Sequence, residues 1–142
     1  MKYYAVIDTN VLVSALLARQ SASAPVVILE KVFSGIVIPV FCKEIFEEYL
    51  TVLQRKKFGF DPRTVATFLH AFQHCGVLLE MMQTDISLPD VKDMPFYAVT
   101  LTRGEDTTYL VTGNLKHFPV RPFVVSPASF LEIIQRQEQG LH

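Results

Sequence analysis

Short apolar runs that stop abruptly alternate with longer stretches of helical spacing along the whole chain. The first run, Tyr4–Ile7, is too short for a buried helix and reads as a strand covered on both faces. Asp8, Thr9 and Asn10 follow it, and Val11–Ala18 then places Leu12, Ala15 and Leu16 at i, i+3 and i+4, a first helix. Thr9 or Asn10 is expected to cap that helix, since their side-chain oxygens accept from free N–H groups. After a polar loop over Arg19–Pro25, Val26–Phe33 is a second helix that stops at Ser34-Gly35. Ile36–Ile38 is β-branched and short, a second strand that Pro39 is expected to end. Phe41–Gln54 is amphipathic and runs into the basic cluster Arg55-Lys56-Lys57. Asp61-Pro62 starts a further helix carrying Val65, Phe68, Leu69 and Phe72, which closes at Cys75-Gly76. Val77–Met81 is a third strand, Asp85–Asp93 a loop rich in Pro and Asp, and Met94–Thr102 a helix. Tyr109–Thr112, ended by Gly113, and Phe123–Val125 are the last strands, and Pro127–Gln137 is the closing helix before a polar tail.

Strands alternating with helices, without hairpin turns between them, predict a parallel sheet with helices on both faces. The expectation is one α/β domain over residues 1–142, a three-layer α/β/α sandwich around a central, mainly parallel sheet. Composition narrows the picture. Half the residues are hydrophobic, which argues against disorder and against a nucleic-acid-binding tail, and 13 Lys+Arg against 14 Asp+Glu leaves a net charge of −1. Any contact with nucleic acid must therefore use local patches. Two cysteines, Cys42 and Cys75, lack CxxC spacing and read as small core residues. No signal-peptide core follows Met1-Lys2, and no apolar run reaches the ~18 residues of a membrane span, so a soluble cytoplasmic protein is expected.

The chemistry lies in the acids. A parallel sheet collects its strand ends at one edge, where open α/β sheets bind their ligands. Asp8 ends the first strand at that edge. On the helix from Phe41, a step of about 100° per residue gathers Ile45, Phe46, Tyr49, Leu50, Val52 and Leu53 into one apolar arc. Glu44 falls mid-way on the polar face, whereas Glu48 borders Val52 and faces inward along the core edge. Asp90 and Asp93 precede the helix at Met94, with Asp93 where an N-cap belongs; Glu105 and Asp106 lie in the turn before the Tyr109 strand. Thr112 and Asn114 follow that strand and can aim neutral oxygens at whatever the acids hold. Carboxylates converging in one cleft repel, and a divalent cation relieves them; an oxygen-only set suits Mg²⁺ or Mn²⁺ and not zinc.

At these residues the chain resembles the PIN-domain family of nucleases. The matching pieces are Val6–Leu12, Glu47–Leu53, Asp90–Phe96 and Tyr109–Asn114, in order along the whole chain. Carried over by position, the family's acids fall on Asp8, Glu48 and Asp93, with Asn114 where many members have a fourth acid. The resemblance implies a metal-dependent endoribonuclease, with Asp8, Glu48 and Asp93 positioning Mg²⁺ or Mn²⁺ and Asn10, Thr112 and Asn114 orienting ligands. It also implies RNA as substrate and, for many members, a toxin that dimerises and is silenced by an antitoxin partner. Candidate phosphate contacts are Arg55, Lys56, Lys116 and His117. A PIN-like module with a degenerate metal site, binding RNA or a partner, is the rival that Asn114 favours. A haloacid-dehalogenase-like phosphatase would need an acid at Asn10, and a Rossmann-type fold a glycine-rich turn after the first strand. His70 and His74 are spaced i, i+4, which can chelate zinc, but no third ligand accompanies them and they read as ordinary helix histidines.

Overall fold

The computed structural model describes residues 2–80, 88 and 90–140. The first apolar run becomes β1 (Tyr3–Ile7), the centre of a five-stranded sheet. Around it stand β2 (Val37–Phe41), β3 (Val77–Leu78), β4 (Thr108–Val111) and β5 (Val124–Val125), in the order β3-β2-β1-β4-β5. Every pairing is parallel. The helices are α1 (Thr9–Leu17), α2 (Ala24–Phe33), α3 (Lys43–Leu53), α4 (Pro62–His74), α5 (Met94–Arg103) and α6 (Pro127–Glu138). α2 and α6 pack on each other and on β2 and β4, while α5 lies across β1, β2 and β4 on the other face. Ala5, Val6 and Ile7 are accordingly buried without regard to alternation, the mark of a strand covered on both sides. The three-layer α/β/α reading holds. Among the described residues, no helix is long and apolar enough to cross a membrane.

Several boundaries differ from the sequence expectation, for identifiable reasons. Pro39 does not end the second strand but sits inside it, paired with Ala5. The ladder joins Tyr3 N–H to the Ile36 carbonyl, so by alternation the nitrogen of Pro39 faces the β3 side, where pairing begins only at Val40. No ladder donor is lost. The neighbouring Gly76 is needed for that close approach, because a Cβ there would lie 2.5 Å from both the Pro39 carbonyl oxygen and the Phe41 ring. Phe41, expected to open the third helix, is the last residue of β2, and the helix starts at Lys43. Neither Thr9 nor Asn10 caps α1; Asp8 holds the N-cap position with extended dihedrals and no side-chain cap bond. β3 is shorter than expected, and Met81 and most of the Asp85–Pro89 stretch lie outside the described residues.

One packing feature matters for the site. Tyr49 of α3 is fully buried, edge-on to Phe72 of α4 at 5.7 Å and 6.3 Å from Phe96 of α5. Phe41 of β2 stacks into the same group, 6.1 Å from Phe72. Four elements thus meet on aromatic rings, whose burial is worth a few kcal/mol each. Glu48 is the residue just before Tyr49 on α3, so this cluster sets where its carboxylate emerges.

Candidate active site

Ile7 pairs with Val111, so the residues just beyond them, Asp8 and Thr112, are neighbours at the carboxyl edge of the sheet. Asp8 N–H donates to the Val111 carbonyl at 2.9 Å, carrying the ladder one residue past the strand. The Asp8 side chain is only 5% exposed. Its Oδ2 accepts from Thr112 Oγ1 at 2.7 Å and from Asn10 Nδ2 at 3.1 Å. Asn10 Oδ1 in turn accepts from Gly113 N–H at 3.0 Å, and Thr112 Oγ1 accepts from Asn114 N–H at 2.9 Å. With the Asn114 amide as its donor partner, the Thr112 hydroxyl proton is committed to Asp8. A Cβ at position 113 would lie 3.2 Å from Asn10 Oδ1, so glycine lets that turn close on Asn10.

Glu48 reaches the same edge from α3. It is half-buried, whereas Glu44 and Glu47 are exposed. Glu48 Oε2 accepts from Thr9 Oγ1 at 2.5 Å, and the adjacent Tyr49 hydroxyl donates to the Ile7 carbonyl. Two consecutive residues of α3 are thereby pinned to the residues on either side of Asp8. Sequence reasoning missed both contacts.

Asp93 arrives from a short 3-10 turn, Val91–Asp93, that leads into α5. Asp90 opens that turn, spends a carboxylate oxygen on Lys92 N–H at 2.9 Å and stays exposed. Asp93 is 9% exposed. It occupies the N-cap position of α5 but makes no cap bond there; its Oδ2 faces His117 Nδ1 at 3.1 Å. Of the two acids in this loop, only Asp93 joins the site. Glu105 and Asp106 lie exposed before β4, at the opposite edge of the sheet.

The charges feel one another. Burial above all, with Asp93 and Glu48 adding repulsion, pushes the Asp8 carboxyl from 3.8 up to about 6, against the opposing Thr112 and Thr9 hydrogen bonds. Burial likewise raises Asp93; the nearby His117 pulls it down, and Asp90 and Glu48 push it up. Burial also holds the Tyr49 hydroxyl protonated well above its ordinary range, with the Asp8 and Glu48 charges helping. Asp8 has no cationic partner among the described residues. Nor, among those residues, are three His, Cys, Asp or Glu side chains arranged to hold a metal ion.

The other expected site residues divide. The Asn114 side chain is exposed and outside this hydrogen-bond network, to which only its backbone contributes. Thr112 and Asn10 act on Asp8 directly. His117, a candidate phosphate contact, lies against Asp93. Lys116 and Lys56 are exposed on short 3-10 turns. Arg55 lines a cleft of about 270 Å³ between α3 and the start of α5, together with Glu44, Glu47, Glu48, Lys92 and Phe96. Lys92 had not been singled out, and only the docking of α3 against α5 brings it there.

Neither the curated proteins nor the solved structures give a significant match to this chain. A family model does: the PIN-domain model matches residues 4–116, a span that runs from β1 to the turn after β4 and contains Asp8, Glu48, Asp93 and Thr112. By that match, and by its parallel sheet with acids at the carboxyl edge, the chain belongs to the PIN-domain family.

Proposed function

We propose that the protein is a metal-dependent endoribonuclease that hydrolyses RNA phosphodiester bonds at Asp8, Glu48 and Asp93. The family is one of nuclease-type domains. The observation that carries the reading is the gathering of carboxylates from three separate elements, Asp8 and Asp93 raised chiefly by burial and further by neighbouring acids, with no cation offsetting Asp8 among the described residues. Clustered perturbed acids in one place are more often functional than structural. The donors are all oxygen, which fits a hard divalent ion, Mg²⁺ or Mn²⁺, and Asp8, Glu48 and Asp93 are the residues that would hold it. Bound there, the ion supplies positive charge to the phosphate and lowers the pKa of a water.

The chain's own residues do the positioning. Thr112 and Asn10 fix Asp8 Oδ2 from two sides with neutral donors, so its geometry does not depend on a titrating partner. Thr9 fixes Glu48 by its hydroxyl. Arg55 and Lys92 share the cleft with Glu48 and are placed to hold phosphates on either side of the scissile one. Preorganisation of this kind avoids reorientation during the reaction. The biological setting that goes with this reading is a cytoplasmic toxin, acting as a homodimer and restrained by a cognate antitoxin.

A second reading has its own support. Asn114 stands exposed where an acid would add a charge, and among the described residues no ligand trio is gathered as the side chains stand. A degenerate PIN domain binding RNA or a partner protein would look like this. Calorimetric titration of Mn²⁺ into EDTA-treated protein, wild type beside Asp8→Asn, separates the two, followed by cleavage of a defined RNA. Binding and cleavage by wild type alone support the nuclease. Folded wild-type protein that neither binds Mn²⁺ nor cuts RNA leaves the binding module.

A further inference from the structure

Away from the carboxylates, α4 carries two exposed histidines one turn apart, His70 and His74. Their Nε2 atoms face each other at 3.2 Å, with ring centroids 4.4 Å apart and the rings 78° from coplanar. Two imidazole ligands at ~2.05 Å from a tetrahedral ion stand about 3.3 Å from each other. The pair is therefore already at ligand spacing, where extended rotamers would have kept the rings apart in solvent. His74 lies in the last turn of α4, and the carboxyl end of a helix attracts positive charge. None of the residues of the carboxylate site lies on this helix.

We infer that His70 and His74 form a surface clamp for a borderline-soft divalent transition ion such as Zn²⁺ or Ni²⁺, separate from the carboxylate edge. Imidazole nitrogens select such ions over Mg²⁺, which prefers oxygen. Two protein ligands leave the remaining positions to water. An ion held there ties the penultimate turn of α4 to its last turn, just before the chain enters β3 at Val77. Because the ion binds only where the helix is formed, it stabilises the folded protein.

The test uses the full chain with Asp8→Asn, so that the carboxylate site does not compete for the ion. Ni²⁺ is titrated calorimetrically into this protein and into the same protein carrying His74→Gln or His70→Gln. We expect one equivalent of Ni²⁺ in the parent, affinity lower by roughly tenfold or more in either variant, and no heat from Mg²⁺. Circular dichroism establishes that each variant is folded. Zn²⁺-induced shifts of the imidazole NMR signals give the location and should fall on His70 and His74. Undiminished Ni²⁺ binding by His74→Gln overturns the inference. So does the absence of binding by the parent, or shifts confined to His117 or His142; either would leave the pair as an imidazole–imidazole hydrogen bond alone.

Discussion

Asp8 and Asp93 are both buried acids at the same sheet edge, yet they are held in opposite ways. Asp8 is gripped by a threonine hydroxyl and an asparagine amide, neutral groups that keep their geometry at any ordinary pH. Asp93 leans on His117, an ionisable group whose side chain is 45% exposed. The contrast teaches where the fold has fixed the site and where it has left it adjustable. The Asp8 corner is part of the sheet ladder. The Asp93 corner is two loop turns facing each other.

Removing the fixed acid should have the largest effect. Asp8→Asn is expected to lower RNA cleavage by roughly 10³-fold or more, since the proposed metal ligand and the centre of the network go together. It should also stabilise the protein. A carboxyl raised from 3.8 to about 6 holds its proton more tightly folded than unfolded, so stability falls as pH rises through that interval. At about pH 7.5 the ionised group costs up to ~3 kcal/mol, which the neutral amide does not. Urea melts in EDTA should show the variant more stable near neutrality and the difference vanishing below ~pH 4. A variant that loses activity and is also less stable near neutrality would mean that Asp8 is a structural acid and the contrast misdrawn.

The next effect tests the neutral grip. Thr112→Val keeps the shape but removes the donor to Asp8 and the acceptor of Asn114 N–H. Cleavage should drop about 10- to 100-fold and stability by ~1–2 kcal/mol, with Thr112→Ser recovering most of both. Thr9→Val, which frees Glu48, should cost about tenfold in cleavage with a smaller loss of stability. Equal activity of Thr9→Val and wild type would show that Glu48 needs no orienting partner.

The fixed corner was largely legible in the sequence, and the adjustable one was not. A strand followed by Asp8-Thr9-Asn10 announces its own geometry, because a strand end and a helix start are adjacent in the chain. The helical periodicity of α3 was enough to choose Glu48 over Glu44 and Glu47. Asp93 was named over Asp90 only by position in the resemblance; the physical reason, that Asp90 spends its carboxylate on Lys92 N–H, lies in the folded turn. The contacts Thr9–Glu48, Tyr49–Ile7 and His117–Asp93 span 39, 42 and 24 residues. They depend on how α3 and the turn after β4 dock, and no local pattern encodes that. Pro39 misled for a related reason: its cost depends on which neighbour its nitrogen faces, a property of the sheet and not of the strand.

The smallest effect probes the adjustable corner. The His117 ring pulls the Asp93 carboxyl down, against a burial effect that raises it overall. His117→Gln removes that pull, so Asp93 should rise further and hold its proton to a higher pH in the folded chain. A raised carboxyl contributes stability that is present at acid pH and lost as pH climbs through the folded value. In metal-free protein the variant should therefore lose more stability than wild type as pH climbs from the ordinary carboxylate range through the raised Asp93 titration, by a few tenths to ~1 kcal/mol, the partial exposure of the pair limiting the effect. The same subtraction at ~0.5 M salt should shrink, because a partly exposed charge pair is screened while the hydroxyl grip on Asp8 is not. Identical pH dependence in the two proteins would mean that His117 merely packs beside Asp93. The two corners would then differ only in exposure and not in how they are held.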